Sequence, residues 1–428
     1  MTPEQLFHDL LGLGQQWRVV KCEYAAKQGE VSAERDGVVR LWVEETPALW
    51  SGESVAARQL VRCYDHVEEE LVWRHLNVFE HSCEIRCRLP RGQRTTDGKV
   101  YRVTPPWEGL AKHFTKGFEA MTLLLLRQMP VSAAARHVGE TDKRLWRMLH
   151  AHVAAAWPNA DWSGVVCVGC DEMSARKGHR YVSVFCDLIG KRVLFATPGK
   201  DRSTWEAFVE ALSAHNGHRR AIKEVSIDMS PAYIAGVAEN IGGHAIIVFD
   251  KFHVIMHANE AVDETRRIEL ARLNKPERSQ LKDSRWVLLK NPENHTPKQA
   301  ERYAGLLTSN LLSVKAHQMR LILQAIYVIA DAKVARRKMR AWCRWVRWIA
   351  SKHQAPFLAA MVKTSRMIER HLDGVMAHWI HRTTNAFMEG LNSVFSAVKR
   401  KARGFRSTEN LIAMLYFTAG HLDLPATH

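Results

Sequence analysis

The chain has 428 residues, 46% of them hydrophobic, which is enough for two or three domains with real cores and excludes disorder throughout. Its 61 Lys and Arg against 45 Asp and Glu leave a net charge of +16, which points toward polyanionic partners such as nucleic acid. Its 8 cysteines are scattered, no apolar leader opens the chain, and apolar runs such as MTLLLL fall short of the roughly 20 residues of a membrane helix, so a cytoplasmic protein is expected.

Residues 1–110 read as short strands and turns. GVVRLWVEE alternates as a half-buried strand does, and CEIRCRLPRGQRTTDGKVYRVTPPW reads as a hairpin that exits through two prolines. Residues 111–160 are helical in pattern and have the layout of a helix-turn-helix. Ser132 is expected to cap a short helix, Ala135 to allow a close crossing, Gly139 to make the turn, and TDKRLWRMLH to form the second helix.

From Val165 the period changes to that of strands. VVCVGC is one strand, RYVSVFCDLIGKRVLFATPG two more joined at Ile189-Gly190-Lys191, STWEAFVEALSAH a helix, AIKEVSID a fourth strand, AYIAGVAENI a helix and HAIIVFD a fifth strand. That order predicts an α/β catalytic core of the ribonuclease-H-like class, a mixed five-stranded sheet with flanking helices. Its first part spans 161–254, an all-α insertion rich in Trp, Arg and Lys spans 255–375, and the core's C-terminal helices span 376–428.

The chemistry gathers at strand ends. Asp171 ends the first core strand and Asp228 the fourth, and in this order the two strands are neighbours, so the two carboxylates face each other across one edge. Like charges so placed repel unless a cation lies between them, and a hard divalent ion such as Mg²⁺ takes carboxylate oxygens. Glu389 in NAFMEGLNS, on one helix face with Asn385 and Asn392, is the best candidate for a third ligand. Each acid alone is more often a cap, a turn residue or an exposed helix carboxylate; it is the three together, in this topology, that argue for a metal site.

Several other residues are weighed against plainer roles. Glu172 would point the other way from Asp171 on an extended strand, which gives it a supporting role. Asp250 and His253 in DKFHV follow the fifth strand and stand near the site, or serve as a helix cap and a packed ring. The basic turn with Arg176 and Lys177, the run Lys399, Arg400, Lys401, Arg403 and Arg406, and Lys143 and Arg144 of the helix-turn-helix are candidate DNA contacts. Trp342, Arg344, Trp345, Arg347 and Trp348 could clamp a flipped base, but at their spacing they more often make a helix core with a basic outer face.

The blocks DEMSARKGHRYVSVFCDL, SIDMSPAYIAGVAENI, VFDKFHVIMHANEAVDETRR and TTNAFMEGLNSVFSAVKRKARGFRSTENL resemble, in order and spacing, the core of DDE transposases of bacterial insertion sequences, the ISL-three family. The resemblance covers roughly residues 40 to 425. It implies a catalytic, metal-holding triad at Asp171, Asp228 and Glu389, two Mg²⁺ or Mn²⁺ ions, and in-line phosphoryl transfer without a covalent protein–DNA intermediate. It also implies double-stranded DNA as partner, both element ends and target, with a homodimer or higher oligomer on the DNA.

One part of the pattern departs. Members of the family begin with a zinc-binding domain built on Cys pairs, and those pairs do not occur here: Cys63, His66, Cys83 and Cys87 lack ribbon spacing, so zinc is not expected. Cys167 and Cys170 fall inside a buried strand, where Cys serves as a small hydrophobe. The departure keeps two alternatives open, a DNA-binding protein that has lost its chemistry and a metal-dependent nuclease that cuts without joining.

Overall fold

The computed structural model describes the chain outside residues 27–36, 52–58, 177–179, 275–277, 280, 353–355, 382–389, 391–392, 394–395, 398–404, 406 and 426–428. It divides into two compact units, Met1–Ala160 with Phe395–His428, and Asp161–Val394.

In the first unit a short helix α1 (Pro3–Leu10) precedes seven strands: β1 (Trp17–Ala26), β2 (Gly37–Glu45), β3 (Leu60–His66), β4 (Leu71–Val78), β5 (His81–Cys87), β6 (Pro90–Arg94) and β7 (Val100–Arg102). They form two sheets, of order β1-β2-β5-β4 and β3-β6-β7. The alternation in GVVRLWVEE sets the register of β2, whose Val39, Leu41 and Val43 are buried while the residues between them are not. Trp73 and Trp17 each meet Trp107 edge to face, with ring centroids 5.9 and 5.0 Å apart, at the centre of the apolar cluster. The expected hairpin is β6 and β7, paired antiparallel.

Three helices follow, α2 (Lys116–Gln128), α3 (Val131–Val138) and α4 (Asp142–Ala156). Gly139 takes φ +71°, the left-handed conformation that ends α3, and Ala134 and Ala135 are buried at the crossing, as expected of a helix-turn-helix. The cap differs from expectation. Pro130 precedes α3 and sets its entry by its fixed φ, so Ser132 lies inside the first turn; the capping side chain is that of Thr141, which accepts from Arg144 N at the start of α4.

The second unit carries β8 (Cys167–Arg176), β9 (Arg180–Asp187), β10 (Arg192–Pro198), helix α5 (Ser203–Ala214), β11 (Glu224–Ile227), helix α6 (Pro231–Asn240) and β12 (Ile246–Phe249). Their order in the sheet is β10-β9-β8-β11-β12. β8, β9 and β10 form an antiparallel meander, while β11 runs parallel to both β8 and β12. This is the strand order expected from the sequence. α5 and α6 pack together where Gly236 meets the fully buried Trp205.

The insertion is helical as expected: α7 (Lys251–Arg272), α8 (Arg285–Leu289), α9 (Pro297–Leu307), α10 (Leu312–Ile326), α11 (Ala332–Lys352), α12 (Ala359–Arg370) and α13 (Leu372–His381). α7 starts directly after β12 and buries Val254, Ala258, Ala261, Val262 and Thr265, a stripe at helical spacing that packs on α10 and α12. Of the Trp/Arg series on α11, Trp342 is core and its indole N–H donates to the Met319 carbonyl at 2.9 Å, Arg347 pairs with Glu369 at 2.6 Å, and Trp348 is about half exposed beneath Lys352. The α11 stripe is thus largely structural.

The final helix α14 (Thr408–Ala419) belongs to the first unit. It packs on α4, burying Leu411, Met414 and Leu415, and His150 Nε2 lies 2.8 Å from Asn410 Oδ1. Among the described residues, no helix is long and apolar enough to cross a membrane.

α13 returns to the sheet and packs on β12, and Gly374 makes the close approach possible. A Cβ there would lie 2.5 Å from the Phe249 ring and 3.1 Å from the Ile247 carbonyl oxygen. Gly374→Ala is therefore expected to destabilise the second unit by about 1–3 kcal/mol through overpacking, read as a lower midpoint in chemical denaturation.

Candidate active site

The site forms where β11 ends beside the middle of β8; contrary to expectation, Asp171 does not end its strand, because β8 runs on to Arg176 in its pairing with β9. Ser226 pairs with Gly169 in the parallel register, so two residues further along each chain Asp228 and Asp171 stand at the same level. Both are half-buried. The apolar residues that precede them, Val168, Val225 and Ile227, are buried and hold the strands, so the carboxylates are carried to the edge by a rigid base.

Local bonds fix each acid. Asp171 Oδ1 accepts the backbone N–H of Glu172 at 2.7 Å, and His253 Nε2 lies 3.9 Å from the same oxygen. Asp228 Oδ1 accepts the N–H of Ser230 at 2.9 Å, the turn that launches α6. Asp250 Oδ1 accepts the N–H of Phe252 at 2.9 Å and caps α7. The plain role anticipated for Asp250 is therefore real, while His253, one turn into the helix that this cap starts, is turned toward Asp171.

Glu172 has a larger part than strand alternation suggested. Asp171 lies by His253 and Glu172 by Tyr233 of α6, but this does not remove Glu172 from the acidic cluster. Burial, followed by the negative charge of Asp228, pushes its carboxyl up; Asp171 adds to the rise, and Lys200 and a hydrogen bond with Tyr233 oppose it. Tyr233 is itself fully buried, its hydroxyl 2.8 Å from Ser183 Oγ. Strand alternation did not show that Asp228, one residue beyond the last paired residue of β11, acts on Glu172 through its charge.

Glu172 thus feels the negative charge of both Asp228 and Asp171 at this end of the sheet, opposed by Lys200, and Asp171 has beside it a histidine that is charged only when protonated; the oxygens of the three acids do not all come within 4.8 Å of one another. Hard carboxylate oxygens in negative excess fit a divalent cation such as Mg²⁺ or Mn²⁺. Glu389, Asn385 and Asn392 lie outside the described residues, as do Lys177, Lys399, Arg400, Lys401, Arg403 and Arg406. Arg176 is the last residue of β8, and its side chain is likewise outside the description.

Two comparisons assign this architecture. A family model described as a transposase, of the DDE type of family ISL3, matches residues 168–415, more than half of the chain. The chain belongs to this family. A second model, the helix-turn-helix domain of transposase family ISL3, matches residues 112–153, the span of α2 to α4. Among curated proteins the chain is similar to the transposase for insertion sequence element IS1001 of Bordetella parapertussis, 30% identical over 349 residues, covering 80% of this chain and 78% of that one. It is also 28% identical over 411 residues to the transposase for IS1557 of Mycobacterium tuberculosis, covering 88% and 89%. The protein is accordingly a DDE transposase, an enzyme that works on DNA, of a family that generally uses divalent metal ions.

In this transposase the exposed face of α4 differs from expectation. Arg144 is tied inward: its guanidinium reaches Glu140 Oε1 and Oε2 at 2.9 and 2.7 Å and lies over the Phe114 ring at 4.5 Å. Lys143 is exposed and is joined by Arg147, one turn on, which the sequence reading passed over. The i, i+4 spacing of Lys143 and Arg147 was the signal available. Together with Trp146 and His150 they line a cavity of about 580 Å³ that Phe405 and Asn410 close from the C-terminal side.

Two variants separate these roles. Arg144→Ala is expected to destabilise the first unit by about 1–2 kcal/mol, because it leaves the buried Glu140 carboxylate only the longer pairing with Arg74 at 3.8 Å, read by thermal denaturation. Tyr233→Phe is expected to cost about 1 kcal/mol of stability and, by loosening Glu172, to slow DNA nicking about tenfold or more.

Proposed function

We propose that this transposase cleaves DNA at the ends of its insertion sequence and joins them to a target by metal-dependent phosphoryl transfer, with Asp171, Asp228 and Glu389 holding two Mg²⁺ or Mn²⁺ ions. The observation that carries this reading is the register of β8 against β11, which sets Asp171 and Asp228 level on adjacent parallel strands. The sheet order and flanking helices support a ribonuclease-H-like core.

Bound at this edge, divalent ions supply Lewis acidity, lowering the pKa of a water or a 3′-hydroxyl and neutralising charge on the departing oxygen. The chain's own residues make the pocket. The carboxylates of Asp171 and Asp228 present oxygens from a backbone that cannot splay, since both strands are paired and buried behind them. His253 orients Asp171 from one side, and Tyr233 holds Glu172 on the other. An attacking water or 3′-hydroxyl forms one P–O bond as the bond to the leaving 3′-oxygen breaks, and the displaced proton passes to solvent or to a neighbouring base.

DNA is gripped by the helix-turn-helix, with Lys143 and Arg147 of α4 as the exposed cations, and the basic run Lys399 to Arg406 and the pair Arg176 and Lys177 are further candidate backbone contacts. Two element ends must be brought together, so a dimer or higher oligomer assembles on the DNA.

The test is cleavage of a duplex carrying the flanking ends of the gene, with Mg²⁺ or Mn²⁺, comparing wild type with Asp228→Ala, and strand transfer scored separately from nicking. Nicking and joining that vanish in the variant support the proposal. Nicking without joining makes the protein a nuclease, and tight binding with no cleavage makes it a DNA-binding remnant; either overturns it. Lys143→Ala and Arg147→Ala are each expected to weaken DNA binding and to reduce the log–log salt slope by about 0.9, measured by fluorescence anisotropy across a salt series.

A further inference from the structure

We propose that Glu45, Cys63 and His66 form a zinc site that clips together the two sheets of the N-terminal domain. One ligand atom from each of the three residues lies within 4.8 Å of the others, the sole such grouping of His, Cys, Asp and Glu among the described residues. Glu45 is the last residue of β2 in the four-stranded sheet, and Cys63 and His66 belong to β3 in the three-stranded sheet. Nothing in the sequence brings Glu45 to Cys63; the packing of the sheets does.

A strand would normally turn Cys63 and His66 to opposite faces, since they are three positions apart. The pairing of β3 with β6 slips twice, between Leu60 and Cys63 and again between Cys63 and Asp65. Such irregularities re-aim side chains, and here they bring a thiol and an imidazole to one point. His66 Nε2 lies 2.8 Å from Glu45 Oε1, and Cys63 Sγ lies 3.4 Å from the Asp65 carbonyl oxygen.

The charges around the cluster distinguish it from a surface ion pair. Asp65 is matched by Arg91, Nε to Oδ1 at 2.7 Å, and Glu44 by Arg18 at 3.6 Å. Glu45, with its side chain 15% exposed, has His66 as its only ion-pair partner among the described residues. A thiolate, a neutral imidazole and a carboxylate make a borderline-soft donor set that suits Zn²⁺ and discriminates against the Mg²⁺ that suits an all-carboxylate edge. The His66 side chain is 45% exposed, so the fourth position opens to water.

The site is tested on the full-length protein, reduced, stripped with chelator and kept in excess Mg²⁺, by titration with Co²⁺ and then Zn²⁺. One equivalent of Co²⁺ is expected to bind with a thiolate-to-metal charge-transfer band that Zn²⁺ bleaches, and Zn²⁺ is expected to raise the Tm. Cys63→Ser removes the band. Glu45→Gln, which keeps shape and a hydrogen-bonding partner for His66, weakens binding by more than the roughly 10–100-fold that loss of an outer-shell partner costs. A wild-type protein without the band, a band that survives Cys63→Ser, or a Zn²⁺ affinity unchanged by Glu45→Gln overturns the proposal. None of these readouts depends on DNA cleavage, so the result stands apart from the catalytic reading.

Discussion

The constraint on which the second unit depends is repulsion between like charges. Burial and the charges of Asp228 and Asp171 push the Glu172 carboxyl up, and the fold must keep these acids in place without a covalent tie. It does so with backbone. β8 is hydrogen-bonded on both sides, antiparallel to β9 and parallel to β11, and the residues leading to the acids are buried and apolar. The helices on either side then trim the cluster: α6 contributes Tyr233 and α7 contributes His253.

Much of this was legible in the sequence, because the catalytic unit obeys local rules. Continuous apolar runs marked buried parallel strands, Gly190 and Lys191 marked a turn, and the order of strands and helices set which strands would neighbour. What was not legible depends on distance in three dimensions. Period-two alternation gave the face of Glu172 correctly but could not say that Asp228, just beyond its strand, would act on Glu172 through its charge. Pattern alone placed Arg144 and Lys143 on one helix, whereas only the packed structure shows Arg144 spent on Glu140 and Phe114.

The same limit applies to the N-terminal domain. Glu45 and Cys63 are 18 positions apart in the chain and lie in different sheets, so paired cysteines at fixed spacing do not reveal them. Spacing rules find sites built within one hairpin. They do not find sites built between sheets.

α7 has a mechanical consequence. Its 22 residues make a rod about 33 Å long. Near its start it carries His253 beside Asp171, and near its far end the buried Glu269 takes the backbone N–H groups of Leu312 and Ser313 at 2.7 and 2.8 Å, capping α10. Because a straight helix resists bending far more than loops do, a tilt of roughly 5° at the insertion end displaces the opposite end by about 3 Å over that length. One continuous helix thus joins the insertion to the end of the sheet that carries Asp171, with His253 near its start and the Glu269 cap of α10 near its far end.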